Sequence, residues 1–269
     1  MDNRPIGVFD SGLGGLTVVK KLREMLPGED IVYFGDTQRV PYGGRSKQTL
    51  LKYVTQDIRF LLSHDVKMIV AACGTASAVA LPHLNDTFDL PVLGVLEEAA
   101  KSALSKTKCG KIGVIATSAT VKSDAYKNVI QSISPETQVY SKACPLFVPL
   151  VENGHLDSEV AHLVAEEYLE DVQDSGADAL IMGCTHYPLL RNTIADVLGD
   201  GVCLIDVGEA MAKRVNGLLS EMDIASDKQT GGSCRYFVSD EVDNFEALGG
   251  LFLQSKIEGM VSKIDIDKY

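Results

Sequence analysis

This sequence of 269 residues lacks paired cysteines, long apolar segments and an export signal, and each absence excludes a class of protein. The six cysteines are far apart, so no C-x-x-C pair is present to form a zinc or redox site. No segment reaches the roughly 18 uninterrupted apolar residues of a membrane-spanning helix. The first twenty residues lack the cationic start and apolar block of an export signal. We therefore expect a cytoplasmic protein with free thiols, no metal and no membrane contact.

Positive charge is also scarce. The chain has 25 Lys and Arg against 37 Asp and Glu, a formal net charge of −12 at pH 7. Such a charge repels nucleic-acid phosphates and anionic lipids, so we expect neither as a partner. With 45% apolar residues the chain has the composition of a globular protein, and its length is enough for one large or two modest domains.

Short apolar segments rich in Val and Ile alternate with helix-like segments. The expected strands span residues 5–10, 31–36, 67–73, 91–96, 111–117, 138–144, 177–184 and 202–207. Residues 158–172 are typical of an amphipathic helix capped by Asp157, with an apolar face formed by Val160, Leu163, Val164, Tyr168 and Val172. This alternation predicts doubly wound parallel α/β sheets, with ligands at the carboxyl ends of the strands.

The two halves of the chain resemble each other. Residues 6–11 are similar to 112–117, and residues 69–75 to 180–185. We therefore expect two similar domains, related by a pseudo-two-fold axis, with the active site in the cleft between them. The first domain would comprise residues 1–96 and 208–269, the second residues 97–207. Residues 208–223 and 240–255 are expected helices, and residues 225–233 a loop.

Cys73 and Cys184 occupy equivalent positions in the repeat, each after an apolar strand and before a helix-like segment. Either cysteine alone is more simply explained as a small core residue. As a pair in facing domains, however, they would face each other, and a helix N-terminus would favour their thiolates. A thiol near its usual pKa of about 8.5 needs only a modest decrease to act as a base near neutral pH.

Two opposed bases are what racemisation requires, because a hydrogen removed from one face of a carbon must be replaced from the other. The carbanion-like transition state would need backbone donors and hydroxyls around it, but no metal. A Cys-His hydrolase is an alternative, since His186 is close enough in sequence to activate Cys184 as a nucleophile. That alternative leaves Cys73 and the repeat unexplained.

The segment from Asp10 to Gly15 follows the first strand and opens a helix. Its glycines would allow a phosphate or carboxylate to approach the backbone, although a tight β-α turn explains them equally well. Asp10 is either a cap or a group acting on a thiol or a substrate ammonium. His186 and Glu152 both follow strands; each has a structural interpretation as well as a catalytic one.

Four segments are distinctive together: residues 7–15, the turn 40–43, residues 72–78 and residues 183–189. In sequence and in order, along essentially the whole chain, they closely resemble glutamate racemases, cofactor-independent members of the aspartate/glutamate racemase superfamily. The resemblance implies interconversion of L- and D-glutamate without a cofactor, D-glutamate being supplied for peptidoglycan biosynthesis. It also implies a homodimer.

The resemblance assigns roles to individual positions. Cys73 would deprotonate D-glutamate and Cys184 would deprotonate L-glutamate, with Asp10 and His186 as auxiliary acid/base groups and Glu152 supporting His186. Asp10 and His186 would also contact the substrate. The remaining implied substrate-binding residues, which would act through backbone groups and hydroxyls, are Ser11, Pro41, Tyr42, Gly43, Gly74, Thr75, Thr117, Thr120 and Thr185.

Gly74 departs from the family pattern, in which an Asn follows the first cysteine. Losing the hydrogen bonds of that amide would cost on the order of 1–3 kcal/mol, which predicts weakened rather than abolished racemisation. Two alternatives therefore stay open. One is a glutamate-binding homologue with reduced activity, and the other is an aspartate racemase, because one methylene changes specificity by only about 1–3 kcal/mol.

Overall fold

The computed structural model of the chain describes residues 1–84, 87–257 and 261–269. The strands are β1 (Ile6–Asp10), β2 (Ile31–Gly35), β3 (Met68–Ala71), β4 (Val92–Gly94), β5 (Lys111–Ala116), β6 (Gln138–Ala143), β7 (Ala179–Met182), β8 (Cys203–Asp206), β9 (Cys234–Val238) and β10 (Val261–Lys263). The helices are α1 (Leu16–Met25), α2 (Lys47–Leu62), α3 (Gly74–Val79), α4 (Val95–Lys106), α5 (Ser118–Lys122), α6 (Ala125–Ile133), α7 (Phe147–Glu152), α8 (Glu159–Ser175), α9 (Arg191–Leu198), α10 (Val207–Glu221) and α11 (Val242–Leu253).

The strands form two parallel sheets with the same core order. One sheet has the order β10-β9-β2-β1-β3-β4, and the other β6-β5-β7-β8. The four-strand order β2-β1-β3-β4 is therefore repeated, and the predicted α/β class with two parallel sheets is confirmed. β9 pairs with β2, so the chain returns to the first sheet after the second is complete. The domain limits themselves stay a prediction.

The eight expected strands are all present, but β9 and β10 were not predicted. β9 carries an exposed Arg between buried residues, and β10 has only three residues, so neither has the apolar run of a buried strand. Each of these two strands extends the first sheet beyond the repeated part.

The prediction for α8 was partly wrong. Its N-cap is Ser158, whose hydroxyl accepts the Ala161 N–H, rather than Asp157. The buried residues are Ala161, Ala165, Tyr168, Leu169 and Val172, while Val160 and Leu163 are more than half exposed. The sequence analysis chose large apolar residues for the buried face of the helix. In the structure, the small side chains of Ala161 and Ala165 allow α8 to pack closely.

The two sheets share the larger of two core clusters, and the smaller one lies between the first sheet and α2. The larger cluster of buried apolar side chains contains residues of β1 and β3 as well as β5 and β7, joined by α4 and α10. Within the part of the chain that the structure describes, no helix combines the length and the apolar character needed to cross a membrane.

Candidate active site

A narrow cavity of about 40 Å³ lies at the carboxyl ends of strands from both sheets. Both Cys73, after β3, and Cys184, after β7, line it, as the alternation of strands and helices predicts. The other lining residues are Ser11, Val40, Pro41, Tyr42, Gly43, Gly74, Thr75, Thr117, Val148, Gly183, Thr185 and His186. The structure thus brings together predicted site residues as far apart in the sequence as Ser11 and His186.

Cys73 is the N-cap of α3, and its sulfur accepts the Ala76 N–H at 3.5 Å. Its thiol also donates to Ser11 Oγ at 3.8 Å. The expected decrease in its pKa is nevertheless wrong: burial, reinforced by the charge of Asp10, raises the pKa of Cys73 to about 12. Cys73 is thus a neutral thiol near pH 7, because desolvation outweighs the one helix N–H that it accepts.

Cys184 has different surroundings. It is followed by a short 3₁₀ turn (Tyr187–Leu190), not directly by an α-helix as expected. Its sulfur lies 3.9 Å from His186 Nδ1, and His186 Nε2 lies 3.0 Å from Glu152 Oε1. Burial lowers the pKa of His186, but the hydrogen bonds to Cys184 and Glu152 and the charges of Cys184 and Asp10 outweigh it and raise the pKa to about 10. A cationic imidazole therefore stands beside Cys184.

Asp10 lies behind the cavity rather than in its lining. The side chain is buried; Oδ2 accepts the Gly12 N–H at 3.0 Å, and Oδ1 has no hydrogen-bond partner among the described residues. Burial raises the pKa of Asp10, while the charge of His186 and the N–H groups of the glycine-rich turn oppose that rise. The charge of Asp10 raises the pKa of Cys73 and also that of His186, so it acts on the surroundings of both thiols.

The glycine-rich turn serves close packing between the two sheets. A Cβ atom at Gly14 would lie 2.1 Å from Thr185 Oγ1 and 2.5 Å from His186 Nδ1. Thr17 Oγ1 also donates to the Thr185 carbonyl at 3.0 Å. Of the two sequence interpretations, the tight β-α turn thus explains the glycines directly.

Gly74 is also a point of close approach. A Cβ atom there would lie 2.4 Å from the carbonyl oxygen of Gly183. That oxygen belongs to the backbone, so it can move away only if the ends of the two sheets separate. The Cβ of an Asn at position 74, as the family pattern has it, would therefore collide with the Gly183 carbonyl oxygen.

Hydroxyl groups line the side of the cavity formed by α3 and α5. Thr117 Oγ1 lies 2.9 Å from Thr75 Oγ1 and 3.1 Å from Thr120 Oγ1. Thr120 supports the other two from behind and does not line the cavity itself. The Tyr42 hydroxyl lies between Asp36 and Asp57, at 2.6 and 2.8 Å from their carboxyl oxygens, so it points away from a substrate.

Val40, Val148 and Gly183 line the cavity but were not among the predicted site residues, nor were Asp36 and Asp57 beneath it. Val148 is one apolar residue of α7 among several, and nothing in the sequence distinguishes it. Asp36 directly follows β2, and this position at a strand end is a signal that could have identified it.

Two other features of the described residues lie outside this cavity. Asp157, His162 and Asp196 place possible metal-ligand atoms within 4.8 Å of one another. A larger cavity, of about 420 Å³, is lined by residues of α3, β4, α4, α6 and α10. Neither includes a predicted site residue.

Comparison with known proteins agrees with this geometry. Residues 6–215 match the family described as Asp/Glu/Hydantoin racemase. A glutamate racemase of Geobacter metallireducens is 45% identical over 98% of this chain and 97% of its own. The crystal structure of glutamate racemase from Francisella tularensis in complex with D-glutamate has a TM-score of 0.93 and 40% identity, covering 100% of both chains. A glutamate racemase isoform from Bacillus anthracis has a TM-score of 0.95 and 35% identity, covering 98% of both.

Proposed function

The chain belongs to the Asp/Glu/hydantoin racemase family, and from this premise we propose that it interconverts L- and D-glutamate by proton transfer between two thiols. The observation that carries the proposal is the placement of Cys73 and Cys184 in the lining of one cavity. The named relatives favour glutamate over aspartate as substrate, because they are glutamate racemases that match nearly the whole chain.

In the proposed L-to-D direction, the Cys184 thiolate removes the α-hydrogen of L-glutamate. The C–H bond breaks as an S–H bond forms, and the electron pair is left on the α-carbon and its carboxylate. The Cys73 thiol then donates its hydrogen to the opposite face, leaving a Cys73 thiolate. The reverse reaction exchanges the two roles. N–H and O–H donors around the cavity stabilise the intermediate charge.

The environments of the two thiols support this assignment. A His186 cation beside Cys184 stabilises a negative sulfur there, and Glu152 holds the imidazole in place. Burial keeps Cys73 protonated and ready to donate. This arrangement fits Cys184 as the base toward L-glutamate and Cys73 as the acid, with the two roles exchanged in the reverse reaction.

Circular dichroism of the purified protein with each glutamate enantiomer tests the proposal. We expect the signal of both L- and D-glutamate to decay to zero without an added cofactor. L- and D-aspartate serve as matched substrates, and we expect slower decay with them. Faster decay with aspartate would favour an aspartate racemase. Glutamate binding without decay would favour the binding homologue.

We further propose, on the sequence resemblance alone, that the protein supplies D-glutamate for peptidoglycan, in the cytoplasm and as a homodimer. Sedimentation of the purified protein tests the last point, with a single species of twice the chain mass as the expected result.

A further inference from the structure

The turn after β2, which places Pro41, Tyr42 and Gly43 in the cavity lining, is anchored by a buried polar cluster. The cluster consists of Asp36, Arg39, Tyr42 and Asp57, where Asp57 belongs to α2. Both carboxyl side chains are fully buried, and the Arg39 side chain is nearly so. Two carboxylates and one guanidinium would leave one uncompensated negative charge in this interior, which is costly.

Counting hydrogens shows that both carboxyl groups cannot be ionised with all contacts satisfied. The Tyr42 oxygen lies 2.6 Å from Asp36 Oδ2 and 2.8 Å from Asp57 Oδ2. A phenol has a single hydrogen and can donate it to only one of these oxygens. The other contact is a hydrogen bond only if a carboxylic acid donates its own hydrogen to the phenol oxygen.

The donors around the pair identify which carboxyl is the anion. Asp36 accepts from Arg39 Nε at 2.6 Å and from Ser239 Oγ at 2.9 Å. The Gln38 N–H donates to Ser239 Oγ at 2.8 Å, which leaves the hydroxyl hydrogen for Asp36. Apart from its contact with Tyr42, Asp57 accepts one longer side-chain hydrogen bond from the described residues, donated by Arg39 Nη2 at 3.1 Å. The negative charge therefore belongs on Asp36 and the hydrogen on Asp57.

We propose that Asp57 is a neutral carboxylic acid in the folded protein and a positioning residue for the cavity. Asp57 donates to the Tyr42 oxygen, Tyr42 donates to Asp36, and Asp36 pairs with Arg39. This chain of hydrogen bonds fixes the turn that carries Pro41 and Gly43. The protonation state does not depend on the proposed function; only the link to catalysis rests on it.

The charges that face Asp57 agree with a bound proton. Burial and the negative charges of Asp36, at the end of β2, and Asp10, at the end of β1, raise the pKa of Asp57 well above its usual value. Arg39 and the Tyr42 hydroxyl act in the opposite direction. The folded state therefore binds a proton that the unfolded chain releases above about pH 4.

Replacing each carboxyl group in turn by an amide distinguishes the neutral acid, Asp57, from the anion, Asp36. In Asp57→Asn the amide NH₂ donates to Tyr42 and its oxygen accepts from Arg39, as a neutral acid does. We expect its KM for glutamate to stay within about twofold of the wild-type value. In Asp36→Asn the anion that pairs with Arg39 is lost, so we expect a rise in KM of about tenfold or more, with a smaller change in kcat.

Two measurements need no substrate, so they test the proposal even if the protein is not a racemase. The infrared spectrum should contain the carbonyl band of a neutral carboxylic acid, present in wild type and in the exposed-site control Asp200→Asn but absent in Asp57→Asn. Urea unfolding should show that Asp57→Asn gains stability relative to wild type as the pH rises from about 5 to 8. An equal rise in KM in the two amide variants, or an unchanged infrared band in Asp57→Asn, would overturn the proposal.

Discussion

The two thiols of the cavity have different charged neighbours. Cys73 has the buried Asp10 nearby and stays neutral, whereas Cys184 has the imidazole of His186 at 3.9 Å. In the proposed reaction one thiol acts as the base while the other acts as the acid, and this asymmetry suits that division of roles. The difference comes from the side chains near each sulfur, which are the His186–Glu152 pair at Cys184 and Asp10 near Cys73.

Replacing His186 by Asn should change how stability depends on pH. The pKa of His186 is raised to about 10, so its stabilising contribution is complete below about pH 6.5 and is lost as the pH rises toward 10. We expect the free energy of unfolding of wild type to fall relative to His186→Asn, by at most about 1.4 kcal/mol per pH unit in that range. Urea unfolding at several pH values measures it. His83→Asn, at an exposed site, is the control, and parallel curves for wild type and His186→Asn would contradict the assignment.

Replacing Gly74 by Ala tests the close approach to Gly183. Helix propensity alone predicts stabilisation by up to about 1 kcal/mol in α3. The Cβ contact of 2.4 Å predicts instead that the closed cavity is disfavoured by about 1–3 kcal/mol, which lowers kcat/KM by about five- to a hundredfold. Both directions should fall by the same factor, because the enantiomers have equal free energies.

The matched control for Gly74→Ala is Gly217→Ala in α10, where a Cβ atom meets only a flexible Glu221 oxygen at 3.8 Å. We expect this variant to keep wild-type kcat/KM. If Gly74→Ala kept it as well, or if Gly74→Asn exceeded wild type, the steric role of Gly74 would be wrong.

Among the secondary-structure elements, the turn between β1 and α1 links the two halves of the site. Its Gly14 contacts Thr185 and His186 so closely that a side chain has no room. We expect Gly14→Ala to lower the free energy of unfolding by about 1–3 kcal/mol and to lower activity more than Gly201→Ala, which meets no atom within 4 Å. Urea unfolding and racemisation rates measure both effects. If Gly14→Ala had the stability and the activity of Gly201→Ala, the glycines of the turn would serve another purpose, such as anion binding.

The apolar strands and the repeat were sufficient to predict both parallel sheets apart from β9 and β10, and the strand ends at which the cavity lies. The sequence did not show how far burial raises the pKa of Cys73, since that depends on atoms packed around the sulfur from distant elements. It also did not show that the second helix-like segment begins with a 3₁₀ turn, so that His186 acts on Cys184 in place of a helix end. The pairing of Asp36 with Asp57 depends on the packing of α2 against the first sheet, which no local pattern indicates.

For the chain as a whole, the shared core predicts one cooperative unfolding transition. Apolar side chains of both sheets form the larger core cluster, so the unfolding of either sheet would expose apolar side chains of the other. The chain has no Trp, and tyrosine fluorescence and far-ultraviolet circular dichroism should therefore report the same midpoint in urea. If glutamate is the substrate, as proposed, saturating glutamate should raise that midpoint, because a ligand of the folded state stabilises it. Two separate transitions would show that the sheets unfold independently.

The central claim is that each thiol serves one face of the substrate, and hydrogen exchange in deuterated water tests it most directly. Cys73→Ala and Cys184→Ala are incubated with each glutamate enantiomer, and nuclear magnetic resonance follows the α-hydrogen while circular dichroism follows inversion. We expect neither variant to invert the substrate. Exchange should be confined to L-glutamate in Cys73→Ala and to D-glutamate in Cys184→Ala. Inversion at the wild-type rate by either variant, or equal exchange of both enantiomers by one of them, would contradict the two-thiol account.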